Sequence, residues 1–379
     1  MKKKIYVIAG EASGDLHGAN LIKSLVACSK EPLEIYGIGG RRIRETGALD
    51  FFDLAHFHVT GFSEAIKNLP KYKKASNFLF DKIKKTRPHL VVLIDNPGFN
   101  LHLAKKIHSL GIPIVYYISP QVWAWRQKRV LKIKKWVKKV LVVFEFEKKI
   151  YEDHGIPVVW VGHPLKDLIR PSPAFKDIRK KMGIQNGSPL VSLLPGSRKG
   201  ELKMLFSAFA KASRAISREF PEAHFALIKS PTLSKEFYEK LFKKNGVHFS
   251  LVEDGSYDVM KESDLALVCS GTATLECALL ETPMIISNKG TLLTYLLTKC
   301  LIKVPYLGIP NLVLGEKKIP ELLQFDATPS KIAKEAITIL TDHKRQETMK
   351  KDLQEVSKKL GEVGANERAA LEVLKTLEA

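Results

Sequence analysis

Short apolar runs rich in Val and Ile alternate with helix-length segments along this chain, and the alternation starts over once near the middle. The first series covers Ile5–Ala9, Glu34–Ile38, Leu90–Ile94, Ile112–Ile118, Val140–Phe144 and Val158–Val161. The second covers Leu190–Leu194, His224–Ile228, His248–Val252, Leu265–Val268 and Met284–Ile286. Most runs are apolar at successive positions rather than at every second one, as expected of parallel strands covered by helices on both faces. Strand–helix alternation given twice predicts an α/β chain of two doubly wound, Rossmann-like domains. Pro164, Pro171, Pro173, Gly183, Gly187 and Pro189 accumulate between the two series, where polarity also rises. The expected division is an N-terminal domain over 1–165, a C-terminal domain over 166–345 and a helical tail over 346–379. Helical periodicity begins at Pro329, and Gly361 and Gly364 divide the end of the chain into two helices.

Composition narrows the class. With 379 residues, 45% hydrophobic and 27% charged, the chain can build two to three cores, which excludes disordered, collagenous and disulfide-stapled types. The four cysteines, Cys28, Cys269, Cys277 and Cys300, form no CxxC pair, so neither a zinc knuckle nor a redox pair is expected. Few cysteines in a long chain fit a reducing cytoplasm. Met1–Lys4 is basic, but Ile5–Ala9 is too short for a signal-peptide core. No run of apolar residues is long enough to span a bilayer; the nearest candidate, Leu292–Leu307, is interrupted by Lys299, Lys303 and Pro305.

The net charge of +21 is unevenly placed: residues 1–170 carry 30 Lys and Arg against 15 Asp and Glu, whereas the remainder carries 31 against 25. A polyanionic partner is implied for the first half, whether nucleic acid, an anionic membrane face or a phosphorylated substrate. A pI near 9.6 alone suggests nucleic acid, but no helix-turn-helix or RNP-like pattern accompanies it, and no nucleic-acid partner is expected.

In open α/β sheets ligands bind beyond the carboxyl ends of the strands, and the unusual residues cluster there. After the first strand comes Gly10-Glu11-Ala12-Ser13-Gly14-Asp15-Leu16-His17-Gly18. It matches neither the GxGxxG fingerprint nor a Walker motif, which disfavours an NAD enzyme. Small residues admit a ligand, while Glu11 and Asp15 suit sugar hydroxyls better than phosphate; an ordinary βα turn with Asp15 as helix cap is the plainer alternative. Asp95-Asn96-Pro97-Gly98-Phe99-Asn100 follows another strand and places an acid where it can serve as a general base, or merely cap the next helix. Ser119-Pro120-Gln121-Val122-Trp123-Ala124-Trp125 carries two tryptophans suited to stacking on a sugar, to acyl chains or to interdomain packing. The following stretch, Arg126–Lys139, has eight basic residues and no acid, and suits anionic lipid, phosphate or plain solvent. Within Gly61–Lys85, Ile66, Leu69, Tyr72, Phe78, Leu79 and Ile83 form one stripe among lysines, which fits either core packing or membrane attachment.

The second half has two matching turns. Pro195-Gly196-Ser197-Arg198 opens a helix with small residues and one guanidinium, which suits a diphosphate. Ser270, Gly271 and Thr272 offer amide and hydroxyl donors, and Glu276 lies one turn further, where a carboxylate can take both hydroxyls of a ribose. Two anion cradles backed by an acid point to a nucleoside diphosphate, with two routine βα turns as the plainer alternative. His163 ends the last strand of the first half, and His56 with His58 lacks a third ligand, so neither a metal site nor a cofactor is expected.

Taken together, GEASGDLHGA (10–19), DNPGFN (95–100), YISPQVWAWR (117–126), VGHPL (161–165), LLPGSR (193–198), CSGTATLE (269–276) and IPNLVLGEKKIPELLQ (309–324) resemble the lipid A disaccharide synthase family, in its order and over nearly the whole chain. The resemblance implies a glycosyltransferase of the B-type fold that moves a sugar from UDP-2,3-diacylglucosamine to 2,3-diacylglucosamine 1-phosphate. The link formed is β-1,6 with inversion, UDP is released, and the enzyme works peripherally on the cytoplasmic membrane face. It implies Asp95 as catalytic residue, Glu11, Ser13, Asp15, His17 and Asn100 on the acceptor side, and Gly196, Ser197, Arg198, Ser270, Gly271, Thr272, Glu276, Asn311 and Gln324 around UDP. The chain departs from the family at Gly98, where some members carry a second acid, and at Thr60, where Met is common. Inversion requires one in-line displacement and so a single base, with no DxD cluster to hold a metal. A same-fold UDP-sugar transferase or epimerase acting without lipid is the rival reading.

Overall fold

The computed structural model describes residues 2–10, 12–53, 62–169, 177–197, 199–231, 233–291 and 304–379. The chain forms two compact units, one of Met1–Asp167 with Leu360–Ala379 and one of Leu168–Lys359. Compared with the expected division at 165/166, the chain passes between units two residues later. The expected tail is also shared: the helix His343–Lys359 falls in the second unit and the helix Ala365–Glu378 in the first.

The first unit is built on β1 (Lys3–Ala9), β2 (Leu33–Gly39), β3 (Leu49–Asp53), β4 (Leu90–Ile94), β5 (Ile114–Tyr117), β6 (Lys139–Val142) and β7 (Val158–Trp160), all parallel in the order β3-β2-β1-β4-β5-β6-β7. The second holds β8 (Leu190–Leu194), β9 (His224–Ile228), β10 (Ser250–Val252), β11 (Leu265–Cys269), β12 (Met284–Asn288) and β13 (Glu321–Leu323), in the order β10-β9-β8-β11-β12-β13. Each sheet reverses direction once, between β1 and β4 and between β8 and β11. Those reversals are the topological switch points at which open α/β sheets take ligands.

The central strands behave as the apolar runs require. Ile5–Ile8 and every residue of β4 are fully buried, since helices cover both faces. Tyr6, Leu93, Tyr116 and Val142 join Leu79, Ile83, Leu103 and Ile133 in one core. Truncating one such side chain, for example Leu93→Ala, costs about 2–5 kcal/mol. β3 and β13 were not expected. Both are edge strands, short, and interrupted by acids, so neither presents a continuous apolar run.

Gly361 and Gly364 do separate two helices, each with a left-handed backbone (φ 87° and 95°) that favours glycine. A further break at Asp342 precedes His343. The last helix is tied back to the first unit by the Asp167 carboxylate, which accepts from the amides of Gly364 (2.6 Å), Ala365 (3.3 Å) and Asn366 (3.0 Å). An anion on the first-turn amides compensates the positive end of the helix. His163 N–H donates to Leu360 O, Lys166 Nζ to Gly361 O and Arg368 Nε to Val161 O. The VGHPL stretch therefore serves as the seat for the returning chain. Among the described residues no helix is long and apolar enough to cross a membrane.

Candidate functional site

In the first unit, β1 and β4 pair so that Ala9 lies beside Ile94, which brings Gly10 and Asp95 together at the switch point. The approach is tight. A Cβ on Gly10 would overlap the Asn96 amide, so the glycine is required by space. Gly14 and Gly18 fall inside the helix Ala12–Cys28, not in a loop. A Cβ on Gly18 would come within 2.7 Å of Ile43 and 3.4 Å of Ile94, so that spacing brings the helix down onto the sheet.

The ends of β4 and β5 carry a cluster of backbone strain. Asp95 (φ 47°), Asn96 (40°), Ile118 (53°) and Arg126 (51°) all adopt left-handed conformations. For a β-branched residue such as Ile118 this is a true outlier, and such strain concentrates where function needs a fixed geometry. Asp95 is locked: its carbonyl accepts from the Tyr116 hydroxyl (2.6 Å) and from Asn100 Nδ2 (2.8 Å), and Asn100 Nδ2 also donates to Ile94 O (3.0 Å). Asn96 caps the following helix, Pro97–His108, its side chain accepting from Phe99 N. The Asp95 side chain stays partly exposed at this edge.

Three expected acceptor residues have other partners or none. The Asp15 carboxylate, nearly buried, accepts from the amides of Gly40 (2.7 Å), Arg42 (3.0 Å) and Ile43 (3.1 Å). It therefore caps the short helix Arg41–Arg44 rather than its own. The Asn100 amide nitrogen is engaged with two carbonyls, so it positions Asp95 and does not reach outward. His17 is 7% exposed, and among the described residues its Nδ1 has no hydrogen-bond partner. Burial, followed by the charge of Arg42, lowers it to about 4, so it is a neutral imidazole at neutral pH. His163 is lowered to about 3 by burial and then by His17. Its Nδ1 accepts from Leu165 N (3.2 Å) and its ring packs on Phe144. Ser13 is exposed; Glu11 lies outside the described residues.

The aromatic loop is anchored by a residue the sequence did not single out. Glu147, 1% exposed, accepts from Trp123 Nε1 (2.9 Å) and from Phe144 N (3.2 Å). Burial pushes its carboxyl up to about 7 against the pull of these donors. Trp123 also packs edge-on against Phe146, which stacks on Phe144. An acid following Phe144 and Phe146 just after a strand was the available signal. Tyr116 gave none, since a tyrosine in a buried strand reads as core. In the helix Phe62–Thr86, Leu79 and Ile83 are core while Phe78 is 43% exposed. The side chains of Ile66 and Leu69 lie outside the described ones, as does Thr60.

In the second unit, Leu194 pairs with Val268, so the Pro195–Ser197 turn and the Ser270–Thr272 turn adjoin at the other switch point. Gly196 has φ 117°, and Ser197 and Thr272 are exposed. The first-turn amides of the helix Thr272–Leu279 open at this edge, as helix starts must. Burial pushes Glu276, on that helix, up to about 7. Arg198 lies outside the described residues.

Three expectations change here. Ser270 has both protons engaged, its amide with Ser287 O (2.9 Å) and its hydroxyl with Leu307 O (2.8 Å), so it cannot donate to a phosphate. Asn311 is fully buried; its nitrogen donates to Ile319 O and Glu321 Oε1, and its oxygen accepts from the amides of Lys318 and Ile319. It organises the turn before β13 and has nothing left for a ligand. Gln324 exchanges two hydrogen bonds of 3.0 Å with the backbone of Gly290, extending the β12–β13 edge by a side chain.

Known proteins share both the sequence and the fold. The lipid-A-disaccharide synthetase family matches residues 5–375. The lipid-A-disaccharide synthase of Geobacter sulfurreducens is 39% identical over 374 residues, spanning 99% of this chain and 97% of that protein. That of Myxococcus xanthus is 36% identical over the same length and shares. Among solved structures, the S. aureus MnaA complex with UDP superposes with a TM-score of 0.70 at 13% identity, covering 99% of this chain and 97% of the other. A glycosyltransferase from Rickettsia africae gives 0.59 at 13%, covering 100% and 99%. The fold is thus that of the B-type glycosyltransferases and the related epimerases.

Proposed function

Because the chain belongs to the lipid-A-disaccharide synthase family and is a glycosyltransferase, we propose that it transfers 2,3-diacylglucosamine from its UDP donor to 2,3-diacylglucosamine 1-phosphate, forming a β-1,6 link with inversion and releasing UDP. The observation that carries the assignment of roles is the contrast between the two switch points. One presents the partly exposed side chain of Asp95 on a locked backbone; the other presents backbone amides with a carboxyl one turn behind.

Asp95 takes the proton from the acceptor 6-hydroxyl as the oxygen attacks the anomeric carbon. Its backbone is fixed by Tyr116 and Asn100, which sets where its side chain starts from. The bond from the sugar to UDP breaks in the same step, and the leaving diphosphate gathers charge. The amides of Gly196, Ser197, Gly271 and Thr272, the positive end of the helix at Thr272 and the Arg198 guanidinium stabilise that charge. Glu276 takes the ribose hydroxyls. Ser13 and neutral His17, with Glu11, position the acceptor sugar. Asn100 acts one step back by holding the Asp95 backbone, and Asp15, Ser270, Asn311 and Gln324 hold turns of their own units.

The substrates are lipids, so the enzyme works peripherally on an anionic cytoplasmic membrane face, held by the basic first unit. Lys73 and Lys74 are exposed beside Phe78 on one helix and supply part of that attraction. Incubation with both acylated glucosamine substrates and mass spectrometry tests the reading. It predicts a disaccharide 1-phosphate and one UDP per link. UDP release with soluble sugars and none with the acylated pair would overturn it.

A further inference from the structure

The basic stretch after the aromatic loop holds a feature that the proposed reaction leaves unused. Arg126 and Arg129 both lie over the ring of Trp125, at 4.8 and 4.7 Å from its centroid. Among the described residues neither guanidinium has a carboxylate partner. Arg126 sits in a left-handed backbone conformation (φ 51°), so the chain is strained in bringing it there. Arg129 is half-buried; burial and then the charge of Arg126 pull it down from its ordinary value. Two like charges held on one indole, one of them partly desolvated, repel each other unless an anion joins them. Each guanidinium presents a planar fork of donors that matches phosphate oxygens, and stacking on Trp125 keeps that fork oriented.

The placement narrows the anion. The loop that carries Trp125 and Arg126 leaves β5 at Tyr117, which pairs with Ile94 just before Asp95, so the arginine pair follows the strand end next to the base. In the proposed acceptor the attacking 6-hydroxyl hangs from C5 and the phosphate from C1, the two carbons that flank the ring oxygen, so a group that holds the phosphate sets the direction of the hydroxyl. We propose that Arg126 and Arg129, clamped on Trp125, bind the phosphate monoester of the acceptor and so orient its free hydroxyl toward Asp95. This rests on the transferase reading above and adds the residues that select a phosphorylated acceptor. It gives the tryptophan loop a purpose: Glu147 fixes Trp123, and the loop so anchored presents Trp125.

The test uses the full-length enzyme, the single variant Arg126→Gln, at an exposed position that folding tolerates, and the double variant Arg126→Gln/Arg129→Gln. The first arm titrates glucosamine 1-phosphate and UDP separately by calorimetry. The expected result is a roughly 10- to 100-fold loss of glucosamine 1-phosphate affinity in the double variant, a smaller loss in the single one, and UDP affinity unchanged. The same glucosamine 1-phosphate affinity in all three proteins, or UDP affinity falling in parallel, would refute the assignment.

The second arm compares acceptors with and without the 1-phosphate. The variants should raise KM for the phosphorylated acceptor and leave the unphosphorylated one nearly untouched; equal losses on both would count against a phosphate site. A third arm measures binding to phosphatidylglycerol vesicles, which the variants should retain. Loss of vesicle binding with glucosamine 1-phosphate affinity intact would assign the pair to lipid headgroups instead. If no protein forms disaccharide from either acceptor, the transferase reading fails, while the calorimetric arm still decides whether the pair holds a sugar phosphate.

Discussion

The two switch points of this chain have the same topology and opposite chemistry. In the proposed reaction a side chain carries the function at the end of β4: a carboxylate on a strained backbone whose carbonyl is fixed by Tyr116 and Asn100. At the paired ends of β8 and β11 the proposed carrier is the backbone, through the amides of Gly196, Gly271 and Thr272, while Ser270 and, in the same unit, Asn311 and Gln324 use their polar atoms to shape turns. Proton transfer needs one group of fixed position and suitable pKa, which a side chain provides. A diphosphate spreads its charge over several oxygens, and several amides of fixed orientation meet that need without titrating. On the proposed reading, one doubly wound architecture serves two tasks through the different residues placed just after its strands.

The largest expected effect tests the side-chain edge. Asp95→Asn keeps the shape and removes the base, so kcat should fall on the order of 1,000-fold with UDP affinity unchanged. A loss below tenfold in steady-state turnover would remove Asp95 from the role. Asp15→Asn breaks the same edge through stability. Replacing a carboxylate that takes three amides leaves donors poorly met and should cost about 2–3 kcal/mol in urea unfolding. If instead stability holds while acceptor KM rises, Asp15 touches substrate directly.

Glu276→Gln addresses the other edge. UDP affinity should fall about tenfold at pH 8, the scale of one charge-assisted hydrogen bond. Ribose hydroxyls favour the ionised acid, and the free carboxyl titrates near 7. Wild-type UDP affinity should therefore rise as pH passes upward through 7 and then level, a step the Gln variant lacks when titrated calorimetrically over pH 6–8.5. The same step in both proteins would trace it to UDP itself.

The smallest effect concerns the loop anchor. The Glu147 pKa is about 7 when folded against 4.5 in the open chain, so the native state holds the extra proton between those values. Stability falls there as pH rises, and by pH 8 the buried charge has cost its full amount. His17 and His163, lowered on folding, tilt the same range the other way, so the variant-minus-wild-type difference is the readout. Glu147→Gln keeps an acceptor for Trp123 and should gain on the order of 1 kcal/mol relative to wild type between pH 5 and pH 8. A difference that does not change with pH would mean that Glu147 titrates normally.

The same contrast explains how much of the molecule was legible in the sequence. Both switch points could be placed, because Gly10, Asp95, Gly196 and Gly271 interrupt apolar runs that otherwise read as buried strands. The strand ends therefore stood out without any structure. Direction could not be read. Asp15, Asn100, Ser270 and Asn311 are polar residues in the right stretches, yet each turns inward to satisfy backbone groups. Whether a polar side chain turns to backbone or to a ligand depends on partners such as Gly40, Leu307 and Ile319, which the local sequence does not reveal. Tyr116 and Glu147 were hidden for the converse reason, being polar groups in apolar surroundings. β3 and β13 were missed because Asp50, Asp53 and Glu321 break up their apolar runs, whereas the edge strands β7 and β10 keep theirs.

The central claim is the division of labour between the two sheets, and a crystal structure with UDP bound tests it most directly. The diphosphate should lie against the amides of Gly196, Ser197, Gly271 and Thr272 with the ribose on Glu276, leaving Asp95 clear of the nucleotide. UDP seated at the end of β1, with its diphosphate on the amides after Gly10, would contradict it.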